Sequence, residues 1–196
     1  MNYNNSEYLN LKRFISYSYQ INSILELKPK SILEIGVGNG IVYNYLKRSF
    51  DIVSCDINKS LSPDYVCDIR KLPFGYDKFN VAVAFEVLEH IPFEDLETAL
   101  MELKRVSNKY VIISVPYAHL SLKGLLNFKL PFTDKQIIIP RFWVKFKHSE
   151  EHYWELGTRG YSKKKMRNIL KKHFNIINSF HPILNPYHYF LILEKR

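Results

Sequence analysis

The sequence predicts an α/β protein with a doubly wound, mainly parallel sheet that carries helices on both faces. Short strands alternate with helices along residues 31–116, and the strands are apolar throughout, as in parallel sheets that are covered on both sides. In such sheets, ligands bind beyond the carboxyl ends of the strands. A glycine or an acidic residue follows each of four predicted strands: Gly36, Asp56, Asp68 and Glu86.

Hydrophobic periodicity and turn residues predict the elements of the first part of the chain. Apolar residues at helical spacing predict a helix from Leu9 to Leu27, which ends before Pro29. The predicted strands that follow are Ser31–Ile35, Ile52–Cys55, Tyr65–Cys67, Phe79–Phe85 and Tyr110–Val115. The predicted helices between them are Ile41–Phe50 and Phe93–Val106.

The alternation stops after Pro116. Residues 117–160 are irregular, aromatic and basic, and so long a stretch between elements is typical of a functional segment. The last predicted elements are a helix, Ser162–Phe174, and two strands, Ile176–Phe180 and Tyr187–Leu193.

One domain is predicted over residues 1–196, with a helical cap at residues 1–28. The aromatic insertion at residues 117–160 forms either a lid on the side of the substrate or an interface in a homodimer, since exposed apolar patches serve both purposes.

Composition limits the class of protein. The 196 residues are 46% hydrophobic and 24% charged, which excludes a disordered chain. No apolar run is long enough for a transmembrane helix, and the polar N-terminus does not resemble a secretory signal, so a cytoplasmic location is predicted. Two cysteines, Cys55 and Cys67, predict neither a disulfide framework nor a zinc site.

The net charge of +9 is unevenly distributed. Residues 1–120 hold 13 Lys/Arg and 14 Asp/Glu, whereas residues 121–196 hold 15 and 5. A basic surface can contact nucleic acid, an anionic membrane or an acidic substrate, and it can equally be a solvated lysine-rich face.

The segment from Ile32 to Gly40 carries the most informative pattern. Glycines at 36, 38 and 40 lie between a strand and a helix, where they let a ligand approach the backbone closely. The dinucleotide fingerprint G-x-G-x-x-G would need its third glycine at Ile41, so a dehydrogenase is weakly supported. A P-loop is excluded because no Gly-Lys-Ser/Thr follows.

Three acidic residues accompany this loop. Glu34 precedes the first glycine, and a carboxylate there would repel a pyrophosphate and favour a cationic ligand such as S-adenosylmethionine (SAM). Asp56 follows Gly36 at the spacing of acids that bind ribose hydroxyls. Asp68 ends the third strand, where it could accept a hydrogen bond from an adenine amino group.

Together, these segments resemble class I SAM-dependent methyltransferases, in particular those with a methyltransferase-11-type domain. The resemblance covers residues 30–116 and rests on four motifs: LEIGVGNG at 33–40, SCDI at 54–57, CDIRKLPF at 67–74 and FNVAVAFEVLEHIP at 79–92. It implies a Rossmann-like sheet of seven strands with the last one antiparallel. It also implies SAM as the cofactor and S-adenosylhomocysteine as the product.

The resemblance further implies which residues contact the cofactor. They are Glu34, Gly36, Gly38, Asn39 and Gly40 for the methionine part, Asp56 and Ile57 for the ribose, Asp68 and Ile69 for the adenine, and Phe85, Glu86 and His90 beneath the methionine moiety. For His90, a role in shaping the start of a helix remains an alternative.

The acceptor pocket is predicted after the fifth strand, where this fold usually builds it. The candidates are His152 and His148 for catalysis and Tyr117, His119, Tyr153 and Trp154 for substrate contacts. His152 could act as a base, orient the acceptor, or pin the insertion to the sheet together with Trp154. No metal site is predicted, because the H-x-x-x-H spacing differs from H-E-x-x-H.

The sequence therefore predicts a SAM-dependent methyltransferase that transfers a methyl group to a small-molecule acceptor by in-line displacement. One alternative is a nucleic-acid methyltransferase that uses the basic C-terminal part. The other is a non-catalytic scaffold protein with the same fold.

Overall fold

A computed structural model describes residues 9–120, 138–149 and 151–196. Parts of the predicted cap and of the predicted insertion lie outside these residues. The four helices of the described chain are α1 (Leu11–Leu25), α2 (Ile41–Leu46), α3 (Leu96–Val106) and α4 (Lys163–His173). The strands are β1 (Ser31–Ile35), β2 (Asp51–Asp56), β3 (Tyr65–Val66), β4 (Phe79–Phe85), β5 (Ser107–Pro116), β6 (His119–Leu120), β7 (Ile139–Pro140), β8 (Phe174–Phe180) and β9 (His188–Lys195).

Seven strands form one sheet in the order β3-β2-β1-β4-β5-β9-β8. β9 runs antiparallel to both neighbours, and the other pairs are parallel. The predicted Rossmann-like sheet with an antiparallel last strand is therefore confirmed. The order reverses between β1 and β4, which is where ligands bind in open α/β sheets.

Helices cover both faces of the sheet. Tyr17 and Ile24 of α1 pack with Leu46 of α2 against one face, and α3 and α4 cover the other, with Leu100 and Leu170 buried beneath them. Strand residues that alternate between the two faces join both clusters, so the strands are apolar on each side. The doubly wound arrangement predicted from the sequence is confirmed.

Several element ends differ from those predicted. α2 stops at Leu46 instead of Phe50, because the amides of Ser49 and Phe50 both turn back to the Leu46 carbonyl. β5 begins at Ser107, three residues before the predicted start. Its first residues are polar and pair through the backbone, which leaves no hydrophobic signal in the sequence.

Cys55 and Cys67 form a disulfide, with Cα atoms 6.0 Å apart. The composition predicted no disulfide framework, so this single link is a correction. It arises because β2 pairs with β3 and thereby brings residues 12 positions apart together. A count of cysteines carries no information about such pairing.

The described part of the insertion is fixed to the domain by Trp154. Its side chain is 0% exposed, its Nε1 donates to the carbonyl oxygen of Ile91 at 3.1 Å, and its ring meets Phe93 edge to face. β6 and β7 form a separate antiparallel pair beside the sheet, although the sequence predicted irregular structure there.

Candidate active site

A cavity of about 710 Å³ opens at the carboxyl ends of β1, β2 and β4. This volume is in the range of small-molecule sites. Its walls come from α1, the glycine loop, the segments after β2, β3 and β4, and residues 151–153 of the insertion. The predicted site residues that line it are Glu34, Gly36, Gly38, Asn39, Asp56, Ile57, Asp68, Ile69, Phe85, Glu86, His90, His152 and Tyr153.

Glu34 lies near the end of β1 with its side chain in the cavity wall. It is 3% exposed, and its Oε2 has no hydrogen-bond partner among the described residues. Burial, and then the nearby Asp56 carboxylate, raise the pKa of Glu34 from 4.5 to about 8. A buried acid with an unused oxygen suits a ligand that brings a donor or a positive charge.

This pKa predicts a pH-dependent stability. Between about pH 5 and pH 8, the native state holds a proton on Glu34 that the unfolded chain has released, so the free energy of unfolding falls as pH rises. One such group contributes at most about 1.4 kcal/mol per pH unit. In urea unfolding experiments, the free energy of unfolding of Glu34→Gln should therefore fall less with rising pH than that of the wild type over this range.

The exposed Glu26 at the end of α1 offers a matched control. Glu26→Gln should keep the pH dependence of the wild type. If Glu34→Gln and the wild type lose stability in parallel from pH 5 to pH 8, the raised pKa of Glu34 is wrong.

The glycine loop connects β1 to α2 with a left-handed backbone at each glycine, with φ of 84° at Gly36, 53° at Gly38 and 73° at Gly40. A Cβ on Gly36 would lie 2.3 Å from the Val87 side chain, so the loop packs closely on the segment after β4. Gly40 lines a smaller neighbouring pocket instead of the main cavity. The Nδ2 of Asn39 is buried without a partner among the described residues, which leaves a donor at the loop.

Asp56 and Asp68 mark the ends of β2 and β3, as predicted. Asp56 is buried, and its Oδ1 accepts from the Asn58 amide at 2.8 Å. Asp68 is held by Arg70, whose guanidinium donates to both carboxylate oxygens and lowers the pKa of that carboxyl. Arg70 also lines the cavity beside Asp68, and it was not among the predicted site residues.

Ile57 and Ile69, the residues that follow the two acids, have different environments. Ile57 is 71% exposed and lies at the cavity edge, whereas Ile69 is buried in the wall. An exposed isoleucine at the edge of a cavity is an apolar surface that a flat ring can cover.

Glu86 follows β4 with a left-handed backbone, φ 55°, which is strained for a residue other than glycine. Its Oε1 accepts from the Ser114 hydroxyl at 2.7 Å, and its Oε2 lies 3.2 Å from Nε2 of His188. The other ring nitrogen of His188 lies 2.7 Å from the Ser16 hydroxyl of α1. Burial lowers the pKa of His188 to about 3, so its ring is neutral at neutral pH.

These contacts, from Ser16 through His188 to Glu86, hold α1 against the site. This set of contacts could not be predicted from the sequence, because its residues come from distant parts of the chain and follow no local pattern. The cavity also takes Arg13, Tyr17 and Gln20 from α1, which fits the predicted helical cap.

The predicted acceptor residues separate into two groups. His152 and Tyr153 line the cavity, and the Tyr153 amide donates to the Glu89 carbonyl oxygen at 2.8 Å. The rings of His152 and His90 lie 5.0 Å apart. Burial lowers the pKa of His152, and His90 lowers it further.

The other four candidates do not line this cavity. Trp154 and Tyr117 are buried in the core, where their rings pack against other side chains. His148 packs edge to face on Tyr153, and His119 lies at the start of β6 with Nδ1 3.0 Å from the Tyr117 carbonyl oxygen. Aromatic residues that follow a strand can pack in the core or line a pocket. Which of the two occurs depends on tertiary packing, which the local sequence does not show.

Three further acids lie near one another: Glu86 and Glu89, which line the cavity, and the half-buried Glu155. Burial raises the pKa of Glu86 to about 7, and it raises the pKa of Glu89 and of Glu155. Arg13 lies near enough to favour the charged forms of Glu86 and Glu89. Glu89 was not predicted as a site residue, because the sequence around an acid in an apolar motif does not indicate which residues it contacts.

None of the helices in the described ranges is long and apolar enough to span a membrane.

A family model described as a methyltransferase domain matches residues 33–113. That stretch runs from β1 to β5 and contains the glycine loop, Asp56, Asp68 and Glu89. A search of curated proteins finds no match.

Solved structures share the fold at low sequence identity. The PH0226 protein from Pyrococcus horikoshii OT3 matches with a TM-score of 0.65 and 16% identity, over 100% of this chain and 94% of that one. Magnesium protoporphyrin IX methyltransferase from Synechocystis PCC 6803, solved with bound SAM, matches with a TM-score of 0.64 and 13% identity, over 95% of this chain and 81% of that one.

A third structure is the 1,6-didemethyltoxoflavin-N1-methyltransferase of Burkholderia thailandensis, solved with its substrate and S-adenosylhomocysteine. It matches with a TM-score of 0.61 and 16% identity, over 92% of this chain and 76% of that one. The methyltransferase-domain model thus matches the part of the chain that carries the glycine loop, and the solved structures show that the chain shares the fold of SAM-dependent methyltransferases.

Proposed function

We propose that the chain transfers a methyl group from SAM to a small-molecule acceptor inside the 710 Å³ cavity. The observation that carries the proposal is the buried Glu34 carboxyl, whose unpartnered oxygen lies in the cavity wall beside the glycine loop. The methionine part of SAM presents an ammonium and a sulfonium, which suit such a carboxyl. The residues present therefore fit the cofactor.

The remaining cofactor contacts follow the strand ends. Asp56 is proposed to accept from the two ribose hydroxyls through the oxygens that its turn hydrogen bond leaves available. Asp68 and Ile69 are proposed to border the adenine on one side and Ile57 on the other. Phe85 is proposed to support the methionine part from below.

SAM supplies an activated methyl group with its own leaving group. The chain has to bind SAM and the acceptor, align them and exclude water. Alignment alone is worth roughly 7–11 kcal/mol of the activation barrier. His90, His152 and Tyr153 border the other end of the cavity, where the acceptor is proposed to lie. The neutral ring of His152 presents a lone pair that can contact an acceptor hydroxyl or amine.

The size and lining of the cavity favour a small acceptor over a nucleic acid. Its volume of about 710 Å³ is in the range of small-molecule sites. The Lys and Arg side chains that line it are Arg13 and Arg70, and Arg70 is already paired with Asp68, so the wall offers few cations to a phosphate backbone. The exposed lysines of α4, among them Lys164 and Lys171, lie outside it and fit a solvated face.

Thermal unfolding with candidate ligands tests the proposal. A ligand at 100 times its dissociation constant adds about 2.7 kcal/mol to the free energy of unfolding. For a chain of this length, the midpoint should rise by roughly 5–10 °C with SAM or S-adenosylhomocysteine and stay unchanged with NAD.

If saturating SAM leaves the midpoint unchanged, the cofactor assignment fails. In that case, the non-catalytic scaffold becomes the better description. Detection of any methylated product would exclude the scaffold.

A further inference from the structure

Three metal-ligating side chains meet at the acceptor end of the cavity. One ligand atom each of Glu89, His90 and His152 lies within 4.8 Å of the others, and all three residues line the cavity. Two come from the turn after β4 and one from the insertion, 62 positions later. This separation explains why the sequence predicted no metal site.

Glu89 is a buried acid whose carboxylate oxygens are open to a further ligand. Its side chain is fully buried, and neither carboxylate oxygen has a hydrogen-bond partner among the described residues. Glu86 and Glu155 lie near it and oppose its negative charge, and the charge of Arg13 offsets part of this repulsion. A buried carboxyl in acidic surroundings is stabilised either by keeping its proton or by a cation.

The histidine geometry favours the cation. Nδ1 of His90 donates to the Glu151 carbonyl oxygen, so the lone pair of the neutral ring is on Nε2. This arrangement, in which one ring nitrogen is held by a backbone carbonyl and the other is available, is how metal-ligating histidines are oriented. His152 is half-buried, and its ring lies 5.0 Å from the His90 ring.

We propose that Glu89, His90 and His152 bind a divalent first-row transition metal ion such as Zn²⁺. Two imidazoles and one carboxylate are a common three-ligand set for such ions, and the remaining coordination positions would face the cavity. Binding of the ion satisfies the Glu89 carboxylate and removes the repulsion between neighbouring acids.

The role of the ion rests on the proposed function. A hydroxyl acceptor that coordinates the ion loses its proton to water more readily, because the metal lowers the pKa of a bound O–H. Its oxygen then bonds to the methyl carbon while the carbon–sulfur bond of SAM breaks and S-adenosylhomocysteine leaves. The site thus favours acceptors with a hydroxyl or phenol oxygen.

Calorimetric titration of the full, metal-free chain with Zn²⁺ tests this site. The wild type should bind one equivalent, and His152→Ala and Glu89→Gln should each weaken binding at least about tenfold, since losing even an outer-shell partner costs roughly 10–100-fold. His148→Ala is the matched control, because His148 lies four residues away and packs on Tyr153 instead. It should bind Zn²⁺ like the wild type.

Equal Zn²⁺ affinity in the wild type and His152→Ala, or no binding by the wild type, overturns the site. A loss shared by His148→Ala overturns it as well, since it would indicate surface binding. SAM affinity and the thermal midpoint are measured on the same metal-free samples. If SAM binds while Zn²⁺ does not, the metal site fails and the proposed function stands.

Discussion

Replacing Asp56 by Ala is expected to weaken SAM binding by at least about 100-fold. The carboxylate is proposed to accept two hydrogen bonds from the ribose, and hydrogen bonds to charged groups are worth about 1.5–3 kcal/mol each. Their combined loss exceeds the roughly 2.7 kcal/mol that a 100-fold change in affinity requires. Isothermal titration of the purified variant with SAM measures the effect directly.

Two further variants separate binding from folding. Asp56→Asn keeps an oxygen for the Asn58 amide and removes only the charge, so it should fold like the wild type and still bind SAM at least about tenfold more weakly. Asp51 opens the same strand at its exposed end, and Asp51→Ala should leave SAM affinity unchanged. If Asp56→Ala binds SAM within threefold of the wild type, Asp56 does not bind the ribose.

Replacing Trp154 by Ala should lower the free energy of unfolding by about 3–5 kcal/mol, the usual loss for a large buried aromatic residue. The indole is completely buried, and its removal leaves the Ile91 carbonyl without its donor and takes away one of the two rings, Trp154 and Tyr161, that Phe93 contacts. Urea unfolding, followed by circular dichroism, gives the change.

Trp143 is the matched control, since it belongs to the same insertion and is 52% exposed. Trp143→Ala should change the free energy of unfolding by less than about 0.5 kcal/mol. If Trp154→Ala does not fold, Trp154→Phe keeps one six-membered aromatic ring and loses the N–H donor with the rest of the indole, at a smaller cost of about 1–3 kcal/mol. Equal stabilities of Trp154→Phe, Trp154→Ala and the wild type would contradict the anchoring role.

Most strands of the sheet could be predicted because a strand that is buried on both faces is a continuous run of apolar residues. β1 and β4 are continuous apolar runs, and their predicted bounds agree with the structure. β5 extends beyond its predicted start, since paired backbone can carry polar side chains such as Asn108. β6 and β7 have two residues each and gave no periodic signal.

The residues of the candidate site also differ in whether local sequence features could predict them. Glu34 and Asp56 were predicted to meet because strand ends and glycine spacing are local features, and both line the cavity. Glu89, Arg13 and His188 were missed because their positions depend on how distant segments close over the sheet. For the same reason, the sequence did not indicate that Tyr117 and Trp154 lie in the core.

The contact between Ser16 and His188 joins residues 172 positions apart, and it has a consequence for biosynthesis. At roughly 5–20 residues per second, a ribosome needs about 10–35 s to add His188 after Ser16. Throughout that interval, the nascent chain holds α1 and its earlier partner Leu46 of α2 without β9, so the part of α1 that packs on β9 stays uncovered. The wall of the cavity that α1 supplies is therefore completed only near the end of translation.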